Sequence, residues 1–254
     1  MKSEIKIDRA VIEIQGACNF DCTMCPQDKR TGGRHKGFLR KMNLLDFEDN
    51  VADCKQHGMN VVNLDGSGEA TLNNNLPEYI KIVKKYDAMS VIFSNGFRMH
   101  GQYMKDCVDA GLDFFRFSFI GPTPELYDKW MNNKRGSSYH LIKKHVKEMM
   151  DYVKEIARLY AKQGKMFEWH TPTGLLVRQT YNEQRKLRIA THLNGSVVRL
   201  NYSKPIDDSV DARKAASGAS PNLVHSLDAA ALTFTVGKCV ESGVTDFAMV
   251  HDSY

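Results

Sequence analysis

The chain lacks any apolar run near the roughly 18–20 residues that a membrane-spanning helix requires. It is also poor in cysteine and tryptophan, with six and two among 254 residues. Cysteines this sparse do not make the disulfide framework of a small secreted domain. Seven prolines and 18 glycines leave no collagen repeat or low-complexity linker. Excess charge is small, since 35 Lys and Arg stand against 30 Asp and Glu for a net +5. Such a balance permits a nucleic-acid partner but does not argue for one. Met1 to Ala10 alternates charged and apolar residues without an apolar signal core, so the expected compartment is the cytoplasm, with no membrane partner. What remains, 42% hydrophobic and 26% charged residues, is the composition of a globular chain with a core for one large domain or two ordinary ones.

The first 150 residues alternate strands and helices. Strands are expected at Val11–Ile14, Asn60–Leu64, Ser90–Phe93 and Phe114–Ile120, each closed by glycine, asparagine or proline. Helical spacing falls at Leu44–His57, Leu76–Tyr86, Met104–Ala110 and Tyr139–Met150. This rhythm predicts βαβ units and a parallel sheet. From Asp151 it is lost. A helix is expected to continue to Lys162, followed by strand pieces near Leu175–Tyr181 and Lys186–Leu193 and a polar loop through Ser209. A loop and helix then follow over Asp211–Gly237, and a last strand over Thr245–Val250. The expected border lies at about residue 150.

Three of the six cysteines fall within eight residues. Cys18, Cys22 and Cys25 form C-x3-C-x2-C directly after the first strand. Three thiolates on one tight loop can hold three irons of a cubane cluster and leave the fourth iron open. A zinc site or three incidental buried cysteines are the alternatives, although zinc usually takes a fourth Cys or His at matching spacing.

This loop resembles the C-x3-C-x-Φ-C signature of the radical SAM superfamily, with Met24 in the usually aromatic position. Gly66-Ser67-Gly68-Glu69-Ala70 resembles the family's G-x-G-E-P segment, Ala70 replacing the proline. Ser94-Asn95-Gly96 resembles the motif that ends the third strand, and Ser118 stands where the family often has a polar contact. The resemblance implies a partial (β/α) barrel of about four units with its chemistry at the strand C-terminal ends. It implies a 4Fe-4S cluster on Cys18, Cys22 and Cys25. It further implies S-adenosylmethionine bound by Met24, Gly66, Ser67, Gly68, Glu69, Ser94, Asn95 and Ser118, and cleaved reductively to a 5′-deoxyadenosyl radical. An electron donor such as flavodoxin or ferredoxin, and an unassigned small-molecule or peptide substrate, would complete the reaction.

Residues 151–254 resemble a different family, the single-subunit DNA-directed RNA polymerases of phages and mitochondria. Trp169-His170-Thr171-Pro172-Thr173-Gly174 is similar to its W-x-T-P-x-G, followed by Gln179 and Tyr181. Asp211-Ala212-Arg213-Lys214 with Ser217-Gly218, Pro221 to Asp228, and His251-Asp252-Ser253 follow in the family's order. The resemblance implies an α+β palm fragment whose catalytic residues are Asp252 and His251, with Asp252 binding Mg²⁺ and His251 and His225 lining the primer–template end. A two-metal reaction needs a second aspartate. Asp65-Gly66-Ser67 imitates the start of that aspartate's motif without its later Gln-His, and the fingers motif is missing, so independent RNA synthesis is not expected.

The sequence thus reads as two truncated pieces, a radical SAM core over 1–150 and a polymerase palm fragment over 151–254. Radical SAM chemistry ranks first, a nucleic-acid-binding polymerase fragment second, and a chimera without activity third.

Overall fold

The computed structural model describes residues 6–26, 40–133, 136–193 and 196–247. The chain divides into two compact units, residues 1–149 and 150–254.

The first unit is an α/β domain around a four-stranded parallel sheet, a partial barrel-like core. Its strands are β1 (Arg9–Val11), β2 (Val61–Asn63), β3 (Met89–Ser94) and β4 (Phe114–Phe117), hydrogen-bonded in chain order. Ala10 pairs with Val62, Val62 with Ser90, and Ile92 with Phe115. Between them run α1 (Leu44–Gln56), α2 (Leu76–Lys85) and α3 (Gly101–Asp109). Asn43 starts α1 by accepting from the Asp46 amide, which satisfies one of the first turn's unpaired donors. Leu76, Tyr79, Ile80 and Val83 recur at helical spacing on α2 and are all buried, the pattern of an amphipathic helix laid on a sheet. Phe47, Val51, Val62, Leu64 and Ile92 complete this core.

Two features differ from the pattern read in the sequence. The first strand sits earlier, because β2 offers partners only to Arg9–Val11. Ile12 still donates to the Asn63 carbonyl at 2.9 Å, after which the chain leaves the ladder and Gln15 bridges Lys41. An additional helix, α4 (Pro124–Trp130), follows the Gly121-Pro122 stop. Thr123 caps it through the Leu126 amide, and Pro124 opens its first turn, where the missing N–H costs nothing.

Helix α5 (Tyr139–Lys162) is continuous through residue 150. The second unit carries two antiparallel pairs, β5 (Glu168–His170) with β6 (Leu176–Arg178), and β7 (Gln184–Leu193) with β8 (Ser196–Pro205). The expected polar loop through Ser209 is largely β8. Nearly all its residues are exposed, yet Val198, Leu200 and Tyr202 alternate with Arg199, Asn201 and Ser203, the period-2 pattern of a strand. Helix α6 (Ala212–Glu241) absorbs both the expected loop and the helix and contains Pro221. Asp211 caps it by accepting from the Arg213 and Lys214 amides at 3.1 and 3.0 Å. These bonds and the Lys214 ammonium hold the Asp211 carboxyl below its usual range. Thr245, Asp246 and Phe247 form no strand, and residues 248–250 of the expected last strand lie outside the described residues. Among the described residues no helix is long and apolar enough to cross a membrane.

Candidate functional site

The C-terminal ends of β1 to β4 open onto one cavity of about 330 Å³. Cys18, Cys22, Met24, Cys25, Gly66, Ser67, Gly68, Glu69, Ser94, Asn95 and Ser118 all line it. These residues span a hundred positions of sequence, and the parallel sheet brings them together by ending its strands on one side.

The loop after β2 is fixed by a close crossing. A Cβ on Gly68 would lie 1.7 Å from the Gln15 carbonyl oxygen, so only glycine fits. Glu13 clamps the same loop, its Oε1 accepting from Ser67 Oγ and the Gly68 amide, both at 2.7 Å. Glu13 escapes sequence reading because its partner lies 55 residues away. Its only signal is a carboxylate between Ile12 and Ile14, both buried.

Glu69, only 4% exposed, ties three segments together. Its Oε1 accepts from the Thr71 amide at 3.1 Å, Thr71 Oγ1 at 2.6 Å and Ser94 Oγ at 2.7 Å; Oε2 accepts from the Asn95 amide at 2.8 Å. Asn95 Nδ2 donates to Asn19 Oδ1 at 2.9 Å, linking the end of β3 to the cysteine loop. The Ser118 amide donates to the Ser94 carbonyl at 2.7 Å. Gly96 turns the chain at φ +73, and its Cβ position is taken by the Phe117 ring.

Asp65 also lines the cavity, and its Oδ1 is buried without a hydrogen-bond partner. Burial, reinforced by the nearby Glu69 charge, pushes its carboxyl above the ordinary range, although two backbone hydrogen bonds and Arg9 pull the other way. Among the described residues the lining holds three carboxylates, Asp21, Asp65 and Glu69, and no Lys, Arg or His; Phe20, Phe93, Ile120 and Met131 form an apolar wall.

The expected 4Fe-4S cluster is not supported by this arrangement. Among the described residues, which include Cys18, Cys22 and Cys25, no three His, Cys, Asp or Glu side chains gather so that they could hold a metal ion. Cys18 Sγ accepts from the Phe20 amide at 3.4 Å, and Cys22 Sγ lies 3.9 Å from Met131 Sδ. Spacing places the cysteines on one loop, but two of the sulfurs are directed at the chain's own atoms. The expectation of S-adenosylmethionine chelated by the open iron falls with the cluster, as does the need for a flavodoxin or ferredoxin donor. The Mg²⁺ expectation is corrected likewise: His251 and Asp252 lie outside the described residues, and the described ones offer no alternative metal group.

In the second unit the polymerase-like motifs dock on one another. Trp169 Nε1 donates to Ser226 Oγ at 2.9 Å. Asn222 Nδ2 bonds Gln179 Oε1 at 3.1 Å and the Tyr181 hydroxyl at 3.2 Å. His225 is exposed on α6 and takes no part in this contact.

The β7–β8 ribbon has two unlike faces. Opposed residues share a face and alternate along each strand, and the register pairs Arg188 with Asn201 and Ala190 with Arg199. One face therefore carries Lys186, Arg188, Arg199, Asn201 and Ser203. The other carries Leu187, Ile189, Leu200 and Tyr202, together with Arg185 and Lys204. No carboxylate occurs between Gln184 and Pro205.

A family model described as the radical SAM superfamily matches residues 12–160, and one described as DNA-dependent RNA polymerase matches residues 119–254, so the two overlap over 119–160. The DNA-directed RNA polymerase of Enterobacteria phage K11 is 34% identical over 120 residues, covering 42% of this chain and 13% of that protein. The mitochondrial DNA-directed RNA polymerase of Homo sapiens is 34% identical over 105 residues, covering 41% and 8%. The chain thus spans about a tenth of the length of these curated relatives. Among solved structures, native anSMEcpe with bound AdoMet aligns with a TM-score of 0.48 at 16% identity, covering 57% of this chain and 41% of that one.

Proposed function

Because the chain belongs to the radical SAM superfamily through residues 12–160 and to the DNA-dependent RNA polymerase family through residues 119–254, we propose a separate binding role for each part. The first unit is a small-molecule-binding domain on a radical SAM framework. Its ligand is a small cation with an apolar or aromatic body. The observation that carries this reading is the cavity lining, which among the described residues has three carboxylates, no cationic side chain and an apolar wall. Such a lining repels phosphates and carboxylates and favours ammonium or sulfonium groups, because opposite charges attract most strongly where water is scarce. Polar contacts that fix orientation within a mainly apolar cavity are the usual make-up of a ligand site. The proposal stops at binding, since reductive cleavage would need iron that the described cysteines are not arranged to hold.

Calorimetric titration of the full chain tests it, with benzyltrimethylammonium, benzyl alcohol and inorganic phosphate as probes. Binding of the cationic probe, stronger than that of benzyl alcohol and weakened in the Asp65→Asn variant, is the expected result. Tighter binding of phosphate would overturn the reading.

A second reading concerns residues 184–205. Their exposed basic face and lack of carboxylates support a role in contacting nucleic acid, and a two-stranded ribbon fits the major groove of a duplex. Duplex binding that weakens steeply with salt is the expected outcome. Binding indifferent to salt would remove it.

A further inference from the structure

We propose that the outward face of the first turns of α5 is a nucleic-acid-binding surface of the first unit, one that holds the phosphate backbone of a duplex. It shares no residue with the ligand cavity or with the β7–β8 ribbon. The sequence already concentrates charge here. Residues 129–147 include six Lys and Arg, two His and no Asp or Glu. This stretch alone carries more positive charge than the net +5 of the whole chain. A local excess of that size makes a field that the average conceals.

The helix sorts these residues onto one side. His140, Lys143, Lys144 and Lys147 stand at i, i+3, i+4 and i+7, the spacing of neighbours on a helix surface, and all four are exposed. The other side anchors this part of α5. Ile142 and His145 are buried, and Val146 packs on the cluster of Phe20, Tyr127 and Met131. His145 Nδ1 also lies 3.0 Å from the Gly96 carbonyl oxygen. The stripe is therefore presented by an anchored helix and not by a loose tail. The carboxylates of the next turn are engaged elsewhere. Glu148 Oε1 accepts from the Gly101 amide at 2.7 Å, and Asp151 pairs with Lys154 at 2.9 Å. Among the described residues no carboxylate forms an ion pair with Lys143, Lys144 or Lys147.

The stripe's dimensions and chemistry select the partner. From His140 to Lys147 the helix advances about 10 Å. One strand of a duplex presents about three phosphates over that length, one for each lysine. Each phosphate neutralised in this way releases its counterions, the main source of backbone affinity. Leu141 is the one large apolar side chain exposed beside the stripe, too little apolar surface to hold a bilayer. Only cations stand on the stripe itself, so recognition is of the backbone and independent of base sequence.

The test is fluorescence anisotropy of a labelled mixed-sequence DNA duplex titrated with the full chain over a range of salt. The combined Lys143→Gln, Lys144→Gln and Lys147→Gln changes should lower the magnitude of the salt slope by about 2–3. Lys81, Lys85 and Lys154, each held in an ion pair, give the comparison. Changing those three to Gln removes the same charge and should alter the slope by less than about 1. Photo-crosslinks from the duplex should map to residues 139–148. Equal slopes for the two triple variants would overturn the proposal, since net charge alone would then account for binding. So would a parent chain that does not bind the duplex, an unchanged slope in the first triple variant, or crosslinks confined to residues 184–205. Tighter binding of the parent to phosphatidylserine vesicles than to the duplex would overturn it in favour of a lipid surface. If the first triple variant does not fold, the crosslink map of the parent decides alone.

Discussion

Gly68 lies so close to Gln15 that a methyl group in place of its hydrogen would sit 1.7 Å from the Gln15 carbonyl oxygen. The loop after β2 and the segment after β1 therefore cross backbone against backbone. The same crossing lets the Gly68 amide reach Glu13 and the Glu69 amide reach the Ala17 carbonyl. The placing of Glu69 in the cavity depends on a residue that carries no chemistry of its own.

Replacing Gly68 by Ala should accordingly destabilise the first unit by the upper part of the roughly 1–3 kcal/mol typical of overpacking. Gly237→Ala is the counterpart. That position in α6 has open space around it, and alanine should raise stability by up to about 0.8–1.0 kcal/mol through helix propensity. Denaturant midpoints of both variants check the pair. Equal and small shifts would show that the crossing is looser than the structure indicates.

Glu69→Gln tests the carboxylate that joins the ends of β2 and β3. Four donors point at its two oxygens, and an amide would set an N–H against at least one of them. A buried donor left without an acceptor costs about 1–3 kcal/mol. The expected loss lies in that range and should fall on the first unit. A change below about 0.5 kcal/mol, the size of an ordinary surface substitution, would mean that the network rearranges freely.

These two residues also show how far the sequence could be read. Val61–Asn63, Leu76–Lys85 and Met89–Ser94 are legible because short apolar strands flank a helix whose apolar residues recur every third or fourth position. Glu69 is legible as part of a motif, whereas Glu13 acquires its role only when Gly68 crosses beside it, which no local pattern encodes. Helix α4 left a readable cap, Thr123 before Pro124, masked by the Gly121-Pro122 stop. Strand β8 left an alternation, Val198, Leu200 and Tyr202 between polar residues, although nearly all of it is exposed. The cysteine spacing fixed the loop but not the direction of its sulfurs.

His145 gives the first unit a pH dependence. It is buried, its Nδ1 lies 3.0 Å from the Gly96 carbonyl oxygen, and its ring stacks on His100 at 4.2 Å. Burial lowers its basicity below the ordinary value of 6.5; His100 and Lys144 act in the same direction, and the Gly96 bond and Glu148 oppose them. The unfolded chain therefore takes up this proton at a higher pH than the folded one. The stabilisation is complete above about pH 6.5 and is lost as pH falls through the lowered folded value. In His145→Gln, the denaturant midpoint should change less with pH across that interval. An unaltered slope would assign the dependence to other groups.

Asp65 carries the opposite sign. Its folded carboxyl titrates above the ordinary 3.8, chiefly because it is buried. Ionisation is therefore easier in the unfolded chain, and stability present at low pH is lost as pH rises through the raised value. Asp65→Asn should raise the midpoint of the first unit at pH 7, with the gap closing as pH falls toward 4. The same variant should bind the cationic probe more weakly, the exchange of stability for binding expected of a site residue. A variant that is stabilised yet binds unchanged would leave Asp65 outside the ligand site.

The basic ribbon makes a quantitative claim. If Arg188 and Arg199 each neutralise one phosphate, changing both to Gln should lower the magnitude of the salt slope for duplex binding by about 2. Affinity should drop alike for unrelated duplex sequences, because phosphate contacts carry no base information. The Arg185→Gln and Lys204→Gln changes serve as the comparison, since the register pairs these two residues on the opposite face, beside Leu187 and Tyr202. Were that second pair to lower the slope as much as the first, the contact would come from the ribbon's net charge rather than from one face.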